Sequence, residues 1–308
     1  MSQPVAVVTD STAYLDPAEV ERLGIIVIPL QVIVGNRILD DGTQIDASEV
    51  AAALKDWSPV STSRPTPQRF ADAYERAAKL GATGVVSLHL SAALSGTVES
   101  ARLAAQDASV PVDVIDSRSL AMGLGFPVLA AAEAARRGAA MPEVAAAARA
   151  RAEATHSFFY VDTLEHLRRG GRIGAAATFL GSALAIKPLL HITDGTIAPL
   201  EKVRTATRAL ARLEDLAIRA AGDRPVDVAV HHLAALTRAQ TLAGHLSTRI
   251  PNLATIRVVE IGPVVGVHVG PGMLGVTLAP ALPSPLEDPP NSDSPPSSPS
   301  ANDPSPHP

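Results

Sequence analysis

The strongest constraint on this chain is a repeated order: a short apolar run rich in β-branched residues, a loop of Ser, Thr, Asp or Gly, then a helix-forming segment. Val5 to Thr9 is the first such run, and Asp16-Pro17-Ala18-Glu19 supplies an N-cap, a first-turn proline and a capping-box acid for a helix reaching about Leu23. The order recurs in Gly84 to Leu88, the small-residue loop Ser91 to Gly96 and a helix over Thr97 to Ala108. It recurs again in Val112 to Ile115, Asp116-Ser117 and a long Ala-rich helix. Strands alternating with helices imply a mostly parallel sheet covered on its faces. Ile25 to Val34 is a further strand, interrupted by Pro29 and therefore expected at an edge or leaving the core sheet.

A second Ala-rich helix spans about Pro142 to Ala154, and Phe158 to Val161 then begins a new strand, so a domain boundary is expected near residue 155. Ile186 to Thr193 and Thr196 to Val203 flank Asp194-Gly195, a strong hairpin signal, and a helix from about Thr205 to Ala221 comes next. Val226 to His231, a helix over Thr237 to Arg249, and strands near Thr255 to Glu260, Val264 to Val269 and Gly275 to Leu278 complete a mixed sheet. The expected fold is α/β: residues 1–155 as an N-terminal domain with a parallel sheet covered by helices, residues 156–280 as a C-terminal domain with a mixed sheet, and a cleft between them. Residues 281–308 hold ten Pro and seven Ser with four acids and no Lys or Arg, a composition expected to stay disordered.

Composition excludes several functions. Lys plus Arg number 26 against 31 Asp plus Glu, and the acidic tail accounts for most of the imbalance, so no basic surface invites nucleic acid. Aromatic residues are 3% of a chain that is 46% hydrophobic, which leaves no base-stacking platform and makes any pocket wall mainly aliphatic. There is no cysteine, hence no disulfide, thiolate ligand or cysteine nucleophile. His89, His231, His232 and His268 lack the H-E-x-x-H spacing of a zinc site, and neither metal nor cofactor is expected. The longest apolar stretch, Ser119 to Ala132, contains two glycines and a proline and stops at Glu133, short of the roughly 20 residues a membrane span needs. Residues 1–10 lack the basic end and apolar run of a secretion signal, and a cytoplasmic protein is expected.

In an open α/β sheet, chemistry gathers beyond the carboxyl ends of the strands. Thr9-Asp10-Ser11-Thr12, Ser61 to Pro67, Leu94-Ser95-Gly96-Thr97 and Asp116-Ser117 are expected there, although each has an ordinary reading as a helix N-cap. None has P-loop or G-x-G-x-x-G spacing. Arg168-Arg169-Gly170-Gly171-Arg172 offers three guanidinium groups beside two glycines, either an anchor for carboxylate or phosphate or a basic helix C-cap. In the glycine-rich run Ile261 to Gly272, His268 is the single polar side chain.

Six segments in this order, Val8-Thr9-Asp10-Ser11-Thr12-Ala13, Thr62-Ser63-Arg64-Pro65, Leu94-Ser95-Gly96-Thr97, Ile115-Asp116-Ser117, Arg169-Gly170-Gly171-Arg172-Ile173 and His268-Val269-Gly270-Pro271-Gly272, resemble the DegV family of bacterial lipid-binding proteins over about residues 4 to 280. The resemblance implies two α/β domains enclosing a long-chain fatty acid in a buried tunnel. It also implies a non-catalytic role, the binding subunit that presents the acyl carboxylate to a separate fatty-acid kinase for acyl-phosphate formation in phospholipid metabolism. By the same resemblance Thr62 and Ser95 donate to the carboxylate and His268 and Arg172 complete the polar network, with Asp10, Ser11, Ser63, Gly96, Thr97 and Gly270 in supporting loops. Transient contact with a membrane surface is implied too, and Arg204 resembles a basic position used for docking the kinase. Arg64 stands where the family commonly has Gln, and the Pro/Ser tail lies outside the resemblance.

Two other readings stay open. Ser95 with His268 or His89 as base would make a serine hydrolase of acyl esters or thioesters, although the sequence names no orienting acid and lacks G-x-S-x-G. The Arg168 to Arg172 turn would alternatively serve a phosphate or sugar-phosphate binder.

Overall fold

The computed structural model describes residues 4–56, 59–179 and 186–282. β1 (Val5–Asp10) ends in Asp10, whose carboxylate caps a single 3-10 turn over Ser11–Ala13. α1 (Pro17–Leu23) starts at the Asp16 cap and stops at Gly24 in the left-handed region. β2 (Ile26–Ile28) pairs parallel with β1, and Pro29 then releases the chain from that sheet, as expected. Beyond Pro29 the chain builds a subdomain that sequence patterning does not predict. β3 (Gln31–Val34), β4 (Arg37–Asp40) and β5 (Val60–Ser63) form a small antiparallel sheet, ordered β4-β3-β5, with α2 (Ala47–Lys55) capped by an Asp46/Glu49 box. Ser61 to Ser63 are thus strand rather than loop: Thr62 is held opposite Val32.

α3 (Pro67–Lys79), β6 (Gly84–His89), α4 (Thr97–Ala105) and β7 (Val112–Asp116) complete a four-stranded parallel sheet of order β2-β1-β6-β7. α4 ends three residues short of the expected Ala108. α5 (Met122–Arg136) and α6 (Met141–Glu153) come next as an antiparallel pair. β8 (His156–Tyr160), α7 (Glu165–Arg169), β9 (Lys187–Thr193), β10 (Thr196–Val203), α8 (Ala206–Ala221), β11 (Val226–His232), α9 (Leu236–Arg249), β12 (Leu253–Glu260), α10 (Pro263–Val269) and β13 (Leu274–Pro280) build the rest. The six-stranded sheet runs β10-β9-β8-β13-β11-β12, parallel only between β11 and β12. Its β9-β10 hairpin turns at Asp194-Gly195, both at positive φ, as the Asp-Gly pair predicts.

One expectation fails outright. Val264 to Val269 is not a strand but α10: Gly262 and Pro263 occupy the N-cap and first helical positions, and the valines pack against α2, β5 and α7. β propensity here loses to the partner surface.

α5 explains how the two large sheets meet. Nearly every residue from Met122 to Ala135 is buried, because the helix packs on β1 and β6 on one side and β13 on the other. A helix apolar all round belongs between layers, and its Gly and Ala residues let both sheets approach. One core cluster accordingly runs from Val5 and Val86 through Leu124 and Ala131 to Ala229 and Ala279. The buried Arg151–Asp227 pair, 2.5 Å, joins α6 to β11 across the same layer.

Asp10 joins the strand ends of the first sheet. Its Oδ1 accepts from the Thr12 backbone N–H (3.1 Å) and hydroxyl (2.6 Å), and its Oδ2 accepts from the Leu90 N–H (2.9 Å) and faces His89 Nδ1 at 3.1 Å. His89 Nε2 continues to Ser87 (2.7 Å) and Ser87 to Tyr74 (2.9 Å), whose phenol burial pushes up to about 12. Replacing Asp10 by Ala leaves several buried donors unpaired at about 1–3 kcal/mol each. Asp10→Ala should therefore lose about 3 kcal/mol or more in urea unfolding; a loss under about 1 kcal/mol would show that the chain of hydrogen bonds adds little.

Candidate functional site

Between α10, the small sheet and the pocket-facing side of the six-stranded sheet lies a cavity leaving about 890 Å³ free of protein atoms, its solvent-facing end included. Most of the wall is aliphatic, from Leu30 and Leu90 to Ile192, Ile261 and Val265, with Phe158 and Phe159 the aromatic exceptions. Thr62, Ser95, Arg172 and His268, which come from four separate segments, all line it, with Ser63 and Arg64. Thr62, Arg172 and His268 also line an outer groove with Ser61, His166 and Arg169, so these polar groups stand where an apolar cavity meets the surface.

α10 and β5 set the central pair. Thr62 Oγ1 lies 2.9 Å from His268 Nε2. The ring lies against Gly170, where a Cβ would stand 2.0 Å from His268 Nδ1, so only glycine tolerates it there. Arg172 is held by Leu94 O (3.1 Å) and Gly170 O (2.7 Å), which accept from its Nε and Nη1. Ser95 Oγ lies 2.8 Å from Thr97 Oγ1 at the start of α4. Arg64 lies over Gly96, where a Cβ would meet its Nη1 at 2.0 Å.

The other expected residues fall outside the cavity wall. Asp10 serves the hydrogen-bond chain described above. Ser11 donates to Asp41 (2.7 Å) and accepts from the Leu30 N–H (3.1 Å), while Asp41 accepts from the Val264 N–H (3.2 Å) at the start of α10. Ser11 therefore braces the helix that carries His268. Gly270 closes α10 at φ 75° under the His166 ring. Asp116 and Ser117 brace their own turn: Asp116 accepts from the Ala92 and Arg118 N–H groups. Arg168 and Arg169 do not reach the cavity wall; both pair with Glu165 at 2.7 Å, and of the two Arg169 shares the outer groove with Arg172. Arg204 is exposed. The residues that sequence reasoning misses are Tyr14 and Asp41, which hold α10, and Ser157, His231, Gly275 and Thr277, which line the inner wall.

Ser95 meets neither candidate base, and the serine that His89 does meet, Ser87, is fully buried. Ser95 pairs with Thr97, His268 with Thr62, and His89 lies within the Asp10 to Tyr74 chain. Among the described residues no three His, Asp or Glu side chains converge as a metal site would need, and no helix is long and apolar enough to cross a membrane. The tail from residue 283 lies outside the described residues.

Known proteins place this architecture. The family model for the uncharacterised proteins of the DegV family matches residues 4–281, and the chain belongs to that family. It is similar to a DegV domain-containing protein of Streptomyces coelicolor, 56% identical over 91% of this chain and 99% of that one. Among solved structures it resembles a fatty-acid-binding DegV family protein of Thermus thermophilus, TM-score 0.86 and 32% identity over 90% of this chain and all of that one. It also resembles DegV, a fatty acid binding protein of Bacillus subtilis, TM-score 0.84 and 32% identity over 91% and 100% of the two chains.

Burial, reinforced by the Arg172 charge, lowers the His268 pKa to about 4, so the ring is neutral at pH 7. An unfolded histidine titrates near about 6.5. Between these values the unfolded chain binds a proton that the folded one refuses, so stability is lost as pH falls from about 6.5 towards 4. In urea unfolding at pH 7 and pH 4.5, the protein should lose on the order of 2 kcal/mol more than His268→Gln on acidification. Equal losses would mean the ring is not held neutral.

Proposed function

We propose that this protein binds a long-chain fatty acid with its alkyl chain in the aliphatic cavity and its carboxylate at the mouth. The observation that carries the proposal is that the Thr62–His268 pair and Arg172 stand where that cavity joins the outer groove, with Ser95 on the same cavity wall. A carboxylate is costly to bury without donors, and these residues supply hydroxyl and guanidinium groups. For Thr62 to donate to the carboxylate, its oxygen accepts from His268 Nε2–H, which leaves Nδ1 the unprotonated nitrogen. The neutral ring thus orients a donor without adding charge.

The alkyl chain supplies most of the affinity, at about 0.8 kcal/mol per buried CH₂, and the mouth fixes orientation. That division suits a carrier in the cytoplasm, in transient contact with membrane, which offers the carboxylate to a separate fatty-acid kinase. In that step a carboxylate oxygen forms a bond to the terminal phosphorus of ATP as the bond to ADP breaks, and the kinase supplies the groups that stabilise the transfer. Fatty-acid binding by the Thermus and Bacillus relatives supports the lipid part of this reading. Resemblance alone suggests the kinase, and the groove beside Arg172 is where it would reach the carboxylate.

Organic extraction of protein purified without added lipid should release long-chain acids detectable by mass spectrometry. Thr62→Val and Arg172→Leu should each weaken binding about 10- to 100-fold, the loss of one charge-assisted hydrogen bond at about 1.5–3 kcal/mol. Lipid-free protein with unaltered affinities in both variants would place the ligand elsewhere. With ATP and a fatty-acid kinase, loaded protein should yield acyl-phosphate and Ser95→Ala less of it. A protein that hydrolyses acyl esters unaided and is labelled at Ser95 by a fluorophosphonate would instead be a serine hydrolase.

A further inference from the structure

The inner wall of the cavity carries polar groups, one of which, His231, a plain hydrocarbon would leave without a partner. His231 on β11, Ser157 on β8 and Thr277 on β13 all line the cavity. Strand register explains why they share a face. Phe159, Gly275 and His231 lie opposite one another across β8, β13 and β11, and Ser157, Thr277 and Ala229 form the level two residues further along. Two residues of strand span about 7 Å. β8 leads from Tyr160 into α7, so the Ser157–Thr277 level lies one step further back along β8 than the Phe159–His231 level.

His231 is buried, and neither ring nitrogen has a hydrogen-bond partner among the described residues. Burial, with His232 beside it, lowers its pKa to about 3, so the ring is neutral and presents one N–H donor and one nitrogen acceptor. Gly275, directly across the ladder, puts no side chain beside the ring. Ser157 and Thr277 hydroxyls lie 3.0 Å apart and bond to each other. An unpaired buried donor or acceptor is costly, so a ligand group that meets the ring nitrogen facing the cavity gains affinity over a plain hydrocarbon.

The chemistry selects the group. A second carboxylate is unsuitable, since the cations lining the cavity, Arg64 and Arg172, stand at the mouth and the His231 ring does not readily protonate. A carbonyl accepts but cannot donate. An alcohol suits either tautomer, accepting from an N–H or donating to a bare nitrogen at whichever ring position faces the cavity.

We propose that His231 forms a second polar subsite, with the Ser157–Thr277 pair the next polar level along the same wall, and that this subsite takes a hydroxyl carried along the acyl chain, so that the favoured ligand class is a hydroxy fatty acid. This rests on the fatty-acid reading above and adds the chain chemistry to it.

The test is competition binding with stearic acid and a series of monohydroxystearic acids whose hydroxyl moves stepwise along the chain. At least one isomer should bind tenfold or more tighter than stearic acid, with isomers several carbons away showing no such gain. The hydroxystearate-to-stearate affinity ratio should fall to within twofold of one in His231→Leu, and should drop in the Ser157→Ala/Thr277→Val double variant, which stands in if His231→Leu does not fold. A series in which no isomer exceeds stearic acid overturns the proposal, as does a ratio that neither variant changes. That outcome is distinct from failure of the carrier reading, in which stearic acid itself does not bind.

Discussion

The site depends on where α10 is held. Seven residues of helix cannot position themselves, and α10 is pinned at its start by groups from the other end of the chain. Asp41 accepts from the Val264 N–H and from Ser11, and the Tyr14 hydroxyl lies 3.4 Å from both Gly262 O and Val265 N. Burial raises the Asp41 pKa to about 6 despite the two hydrogen bonds that oppose the shift, and raises the Tyr14 phenol further. Keeping a carboxyl there costs the fold stability, and the placement of α10 is what that carboxyl secures. One turn beyond Val264, about 6 Å along the axis, His268 meets Thr62. The loops that carry Ser11, Tyr14 and Asp41 thus act on the site through α10 rather than by lining the cavity.

How much of this is legible in the chain depends on whether local chemistry or distant packing decides each element. Asp16-Pro17, Gly24 and Asp194-Gly195 act within a few residues of themselves, and α1 and the β9-β10 hairpin form where they direct. Val264 to Val269 has the composition of a strand, and only the surface offered by α2, β5 and α7 makes it a helix. The small β4-β3-β5 sheet is hidden for a related reason: its strands are four residues each, and Ser61-Thr62-Ser63 has the composition of a loop.

The site divides along the same line. Thr62, Ser95, Arg172 and His268 sit in motifs recognisable in order, and the structure brings all four to one cavity. Arg168 and Arg169 belong to the same motif region, yet helical spacing puts them three and four residues from Glu165, which pairs with both at the surface. His231 is visible in the sequence only as one of several histidines. Its significance needs the β11-β13 register, which sets it against Gly275, and no periodicity within Val226 to His232 reports that neighbour.

The cavity therefore holds two neutral imidazoles with different roles. Arg172 and Arg64 supply positive charge at the mouth, and the Arg172 field helps keep His268 uncharged, so the mouth carries fixed guanidinium charge instead of a charge that varies near neutral pH. No such cation acts on His231; burial and the neighbouring His232 hold it neutral. On the fatty-acid reading, the mouth offers a charge-assisted contact that any fatty acid can make, and His231 a neutral imidazole contact that only some can. On that reading, affinity for the whole class and choice within it would be set by different residues, and substitutions on the inner face of the six-stranded sheet would alter the second while the mouth keeps the first.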